Sequence, residues 1–325
     1  MSLSVVRSFI FVNNAMAPPI ALLNDGGDPV YSVAVPRYNK SEGDTVEVPA
    51  LCFGLYQVPD DVEGERIVVD AIVKAGYRNL DSAAVYGNEK TVGRALATCQ
   101  REGGIQRSQL FLATKVWNDA QILGRSAVRR SVEQSIQDLN CNGYLDLCYI
   151  HWPVPGYFVD TYLELQLLKK EGKIRHLGMS NFTADEYKHL MSSYGVHAKP
   201  LINQFEISPF MYRPKSIEYF QGQGILVAAS KALHRATESD NEGNVVNTIA
   251  KSHNVSFAQI MLRWGFQKGL MVLAKSSNLQ RMRDNRDILR FSITDLEMQK
   301  LDSLTSAKDL QDRVKRETES KGWKV

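Results

Sequence analysis

The chain has 325 residues, 44% of them hydrophobic, which suits one large α/β domain or two small ones with ample core. A net charge of +3 is only mildly basic, and no basic run is interleaved with aromatics, so nucleic acid is not an expected partner. No stretch reaches the roughly 18 apolar residues of a membrane span. The four cysteines (Cys52, Cys99, Cys141, Cys148) show neither a CxxC pair nor metal-ligand spacing, and read as buried thiols of a reducing compartment.

The chain opens with a segment unlike the rest. Arg7 is basic, residues 8–12 are apolar, and no acid appears before Asp25. Asn13 and Asn14 interrupt the apolar run, which makes it a poor secretory signal. Residues 1–29 read as a flexible N-terminal extension, with Met16 as an alternative start; a weak organelle transit peptide is the other reading. Next, residues 30–35 and 45–48 flank a polar turn from Asn39 to Asp44 and predict a hairpin that plugs one end of a barrel.

Short apolar runs then alternate with amphipathic stretches. The predicted strands are residues 50–55, 78–82, 110–115, 145–150, 176–180, 201–206, 225–229 and 271–274. Helical patterns lie between them, at 63–75, 89–102, 126–139, 160–171, 183–194, 214–221, 245–253 and 257–267. Serine or aspartate precedes several of these, and Gly76, Gly103, Gly172 and Gly195 follow others, as capping requires. Eight such units without a long linker close naturally into a (β/α)8 TIM barrel spanning residues 30–325, with the hairpin at its N-terminus. An open doubly wound sheet fits the periodicity as well. Two C-terminal helices follow, at 295–304 and 310–321, the second highly charged and expected to be solvated.

Chemistry falls at the strand ends. Asp81 and Tyr86 follow the second strand, Lys115 ends the third, and His151 ends the fourth. In a barrel all four converge on the C-terminal rim. A lysine on an apolar strand is costly to bury unless paired, and Asp81 is the obvious partner. One such residue alone reads as structural; four on one rim read as a site. A cation held by a buried Asp beside a phenol makes that phenol a better acid. Tyr56, Trp117 and Trp152 also sit at strand ends and could wall an aromatic substrate pocket.

These segments resemble the aldo-keto reductase superfamily, from about Val48 to Leu304. Six patterns occur in order: GYRxxDSAxxYGNE from Gly76, TKVW from Thr114, DLxxIHWP from Asp146, EGKIRxxGxSNF from Glu171, NQxE from Asn203 and KSxxxxRxxxN from Lys275. The resemblance implies a TIM barrel using NAD(P)H. It implies Tyr86 as the acid that protonates a carbonyl oxygen, Lys115 as the charge that lowers its pKa, Asp81 as the holder of Lys115, and His151 as the group that orients the substrate carbonyl. For the cofactor it implies Gly54, Leu55 and Asp81 on one side of the site, Ser180, Asn181 and Gln204 at the carboxamide, and Ser230, Lys231 and Leu233 after the seventh strand. Lys275, Ser276, Ser277, Arg281 and Asn285 would hold phosphate. Two cations there, beside a helix N-terminus, favour the 2′-phosphate of NADPH over NADH.

Three departures stand out. Ser230 replaces an aromatic that family members stack on the nicotinamide, Lys231 adds a charge beside it, and Cys52 stands where a glycine is common. Weaker cofactor binding is the expected consequence of Ser230. A rival reading is therefore a catalytically weak, NADP-binding regulatory or sensing subunit. Tyr86 and Lys90 also match the YxxxK spacing of short-chain dehydrogenases, but no glycine-rich dinucleotide turn accompanies them. Six scattered histidines without ligand spacing give no metal site. The expectation is a cytoplasmic, monomeric, NADPH-dependent reductase of aldehydes and some ketones.

Overall fold

The structure, a computed structural model, describes residues 21–23, 29–35, 44–233 and 243–321. A small antiparallel sheet comes first: β1 (Ala21–Leu23), β2 (Pro29–Val35) and β3 (Asp44–Pro49). The predicted hairpin is β2–β3; most of its turn, residues 36–43, lies outside the described residues. β1 adds a third strand from within the stretch read as an extension.

Eight parallel strands then close a barrel: β4 (Leu51–Gly54), β5 (Asn79–Asp81), β6 (Phe111–Val116), β7 (Leu145–Ile150), β8 (Ile174–Ser180), β9 (Ile202–Glu206), β10 (Leu226–Ser230) and β11 (Met271–Ala274). The order is sequential and β11 returns to pair with β4, so the open-sheet alternative is excluded. The predicted strands lie within two residues of these bounds.

Alternation along each strand sorts the side chains. Phe53, Leu80, Leu112, Cys148, Val227 and Val272 face outward and join the main core under the helices. Cys52, Phe111, Ala113, Leu147, Tyr149, Ile202 and Ala228 face inward and fill the barrel. Val48 is fully buried against this inner cluster and Val46 packs on it, so the end of β3 closes the N-terminal mouth. Two residues further up, the inner register is polar on five of the strands. Asn79 is followed by Asp81, Ala113 by Lys115, Tyr149 by His151, Ile202 by Gln204 and Glu206, and Ala228 by Ser230. The candidate site is therefore the uppermost layer of the barrel interior.

Two further features differ from the sequence expectation. The first long helix ends at Val69 and widens into a π-helical turn, Asp70–Lys74, closed by the Ala75 amide on the Asp70 carbonyl at 2.8 Å. The buried Asp70 carboxylate takes Arg66 and Lys74 from either side, which anchors the widened turn. The second is the C-terminal helix, Ala307–Lys321, which is not solvated all round. Its charged stripe Asp309, Arg313 and Glu317 is buried. These residues recur every four positions, so they share one face of the helix, from which Arg313 reaches Glu206 and Asn181 and Glu317 meets Arg213.

Gly178 on β8 has a specific packing role. A Cβ there would stand 2.5 Å from Cδ1 of Tyr149, whose ring fills the barrel beneath the site. Gly178→Ala should displace this ring and destabilise the fold by about 1–3 kcal/mol. A lowered denaturant midpoint checks this; an unchanged midpoint would show that the ring has room to move.

Candidate active site

Lys115 is the centre of the site. Its ammonium is fully buried and donates to Asp81 Oδ2 at 2.5 Å and to the Ser82 carbonyl at 2.7 Å. It also lies 3.3 Å from the Tyr86 hydroxyl oxygen. Asp81 receives a second donor, Gln204 Nε2, on Oδ1 at 2.9 Å. One carboxylate thus links β5, β6 and β9 across the barrel interior.

Tyr86 reaches this group from a short 3-10 turn, Ala84–Tyr86, just after β5. Gly87 ends the turn at φ 70°, a left-handed conformation that glycine adopts without strain. Asn88 then donates to the carbonyls of Leu55 and Val58 at 2.9 and 2.8 Å, tying this loop to the end of β4. Around Tyr86 stand Tyr56, with ring centroids 5.2 Å apart, and His151, at 6.0 Å. Trp117 packs edge-on against His151 at 4.9 Å. Tyr86, His151 and Trp117 are half-buried while Tyr56 is 58% exposed, so the group opens to solvent past Tyr56.

Electrostatics follow from this burial. Burial opposes the charge on Lys115, but Asp81 and then Tyr86 outweigh it and hold its pKa above the ordinary amine range. Burial pushes the Tyr86 hydroxyl above its ordinary range, against the pull of Lys115. This corrects the sequence expectation in its net sign: Lys115 does pull the phenol down, but desolvation is the larger effect. His151 is held well below the usual imidazole range, first by burial and then by Lys115. The site therefore presents a protonated phenol and a neutral imidazole at neutral pH.

Of the expected cofactor residues, Ser180, Asn181, Gln204 and Ser230 stand on the rim of β8, β9 and β10. Asn181 adopts φ 62° and donates to the His151 carbonyl and to Ser180 Oγ, both at 3.0 Å. Lys231 bends away to Glu206 Oε2 at 3.4 Å rather than into the barrel. Leu233 packs on the core, and residues 234–242 lie outside the described residues. Beyond β11, Asn278 caps the helix Leu279–Arg286 by accepting from the Arg281 amide at 3.0 Å. Arg281 Nε donates to Ser276 Oγ at 3.3 Å, Asn285 is buried, and Lys275 and Ser277 are exposed. Among the described residues neither Lys275 nor Arg281 forms an ion pair. This is a fitting donor set for phosphate: two cations and hydroxyls at a helix N-terminus. Gly54 leaves the adjoining rim open, with nothing nearer than 3.9 Å to where a Cβ would stand.

Trp152 is half-buried on the rim, and its contact is with Arg313 of the C-terminal helix, 5.7 Å from the ring centroid. Sequence reasoning missed Arg313. Its guanidinium donates to Asn181 Oδ1 at 2.9 Å and to Glu206 Oε2 at 2.8 Å. The four-residue spacing of Asp309, Arg313 and Glu317 was the available signal for a buried face. Ser82 was missed too, because its contribution is a backbone carbonyl.

The four cysteines are free and buried. No helix among the described residues is long and apolar enough to cross a membrane, and no metal-binding cluster occurs among them.

Comparison with known proteins agrees with this geometry. The sequence model of the aldo/keto reductase family matches residues 50–306. The chain is 37% identical to a glyoxal reductase of Bacillus subtilis over 80% of its own length and 90% of that protein's. Among solved structures, an aldo/keto reductase from Brucella melitensis superposes with a TM-score of 0.72 at 32% identity, covering 83% of this chain and 99% of that one. A Bombyx mori aldo-keto reductase in complex with NADP gives a TM-score of 0.72 at 28% identity, covering 86% and 98%. The chain belongs to the aldo-keto reductase family, an oxidoreductase family acting on carbonyl compounds.

Proposed function

We propose that this protein is an NADPH-dependent reductase of aldehydes, and of some ketones, with Tyr86 as its general acid. The observation that carries the reading is the chain Asp81–Lys115–Tyr86, at 2.5 and 3.3 Å, facing a neutral His151 across the mouth.

Each residue has a physical task. Burial keeps the Tyr86 proton in place at neutral pH, so the phenol is loaded as a donor. Giving that proton to a carbonyl oxygen leaves a phenolate, and Lys115 Nζ at 3.3 Å meets the new negative charge with a fixed positive one. Asp81 keeps that charge on Lys115 despite its full burial. His151 lends one N–H to the same carbonyl oxygen. Its Nδ1 is buried with no partner, so the proton belongs on Nε2, where a substrate can use it. Tyr56, Trp117 and Trp152 line the approach, and the openness past Tyr56 suits small dicarbonyl, sugar or aromatic aldehydes.

For the cofactor, Lys275, Ser276, Ser277, Arg281 and Asn285 would hold the adenosine phosphate end. Gly54, Leu55, Ser230, Lys231 and Leu233 would border its path. Asn181, Ser180 and Gln204 would receive the carboxamide. Bound there, the dihydronicotinamide supplies the hydride. Two cations at the phosphate end favour NADPH, and the Bombyx mori relative solved in complex with NADP supports the same choice. A monomer in a reducing, cytoplasmic setting fits the free cysteines and is part of this proposal.

Three measurements check it. Tyr86→Phe should lower turnover of an aldehyde panel by roughly 100- to 10,000-fold while NADPH binding, followed by fluorescence, is kept; unchanged turnover removes Tyr86 from the role. Arg281→Ala should weaken NADPH roughly tenfold or more and leave NADH little changed; equal losses would mean that Arg281 does not read the 2′-phosphate. Lys115→Met should cost about 3–5 kcal/mol, because Asp81 is left as an unpaired buried charge. Adding Asp81→Asn should recover part of that stability but no activity; no recovery would show that the loss is not electrostatic.

A further inference from the structure

The C-terminal helix Ala307–Lys321 straps across the mouth of the barrel. Just before it, Thr305 is tied to Pro209 and Tyr212 beyond β9. Near its other end, Asn118 beyond β6 donates to the Ser320 carbonyl at 3.1 Å, and Lys321 pairs with Glu186 at 2.8 Å. Between these anchors lies Arg313, on Asn181, Glu206 and the Trp152 ring.

What holds the strap is polar. Its buried residues are Asp309, Arg313 and Glu317, while Leu310 and Val314 are 39% and 61% exposed. Arg313 and Arg213 share Glu317 Oε1, each at 2.8 Å, and Lys231 joins Arg313 on Glu206. Ion pairs of this kind repay their desolvation only narrowly, so such an element undocks at lower cost than one held by apolar burial. Nε and Nη2 of Arg316 are also buried without a partner among the described residues, which penalises the docked state further.

Docking engages a group the site needs. Asn181 gives its amide hydrogens to His151 and Ser180, and its Oδ1 accepts from Arg313. Every polar atom of that side chain is engaged. A ligand carboxamide would present the same kind of N–H donor as the guanidinium, and Asn181 Oδ1 would be its acceptor.

We propose that Arg313 is a displaceable latch: it docks the C-terminal helix by occupying Asn181 Oδ1, and a nicotinamide carboxamide takes its place. The inference rests on the reductase reading above. Cofactor loading and helix docking then compete for Asn181 Oδ1. By linkage, docking weakens the cofactor by the same factor that the cofactor weakens docking.

The test uses the full chain and two readouts. Hydrogen exchange follows backbone amides 309–320 with and without NADPH. Fluorescence titration gives the NADPH dissociation constant. In the wild type, NADPH should speed exchange across the helix. Arg313→Met combined with Glu317→Gln, which also removes one of its two buried counter-charges and leaves Glu206 to Lys231, should bind NADPH about five- to tenfold tighter. Its helix should exchange quickly whether or not NADPH is present. Arg313→Lys, which keeps the charge but loses the paired guanidinium geometry, should fall between. Protection of the helix by NADPH, or equal or weaker NADPH binding by the double variant, overturns the latch. If those failures come with normal aldehyde turnover, the reductase reading stands and the latch alone is lost. If the wild type binds no NADPH, both fall.

Discussion

A charge buried in an apolar barrel is the constraint around which this molecule is arranged. Lys115 enters the interior because period-two alternation on β6 leaves it no other side. Once there, it cannot stay charged without a counter-ion, and Asp81 on the neighbouring strand, in register with Ala113, lies within reach of its ammonium. Asp81 in turn is fixed by Gln204 from across the barrel, and the Ser82 carbonyl takes another ammonium proton. The polar layer therefore behaves as a single unit. Tyr86 and His151 gain their properties from it: the phenol gains a positive neighbour, and the imidazole stays neutral partly because that neighbour is there.

Much of this was legible in the sequence because it is local. Strand positions follow from alternation, so reading eight short apolar runs also gave the residues that end them. The pairing of Asp81 with Lys115 followed from the cost of leaving either alone. Three things were not legible. The net direction of the Tyr86 pKa depends on how far the surrounding rings exclude water, which spacing does not report. The π-helical turn at Asp70 depends on two cations closing on one buried carboxylate. The burial of Arg313 depends on Glu206 and Asn181, more than a hundred residues away in the chain. A helix rich in alternating charge reads as solvated when its partners are that distant.

The C-terminal helix changes how the rim is understood. Ser230, where family resemblance leads one to expect an aromatic, lies beside Glu206 in the β9–β10 register. Glu206 is the carboxylate that Lys231 and Arg313 share. Loss of the aromatic is thus accompanied by an ionic cluster that joins the rim to the helix above it. The same few ångströms of rim hold the proposed carboxamide acceptor and the strap's main anchor, which couples access to chemistry.

Isotope transfer tests the central claim most directly. NADPH carrying deuterium at both C4 positions of its dihydronicotinamide would be incubated with the purified protein and a panel of small, sugar and aromatic aldehydes, and the alcohols examined by mass spectrometry. The account expects one deuterium on the carbinol carbon of at least one product, with none formed by Tyr86→Phe on the same timescale. Bound NADPH with no labelled alcohol across the panel would contradict it, and would leave a cofactor-binding protein whose buried charge serves the fold alone.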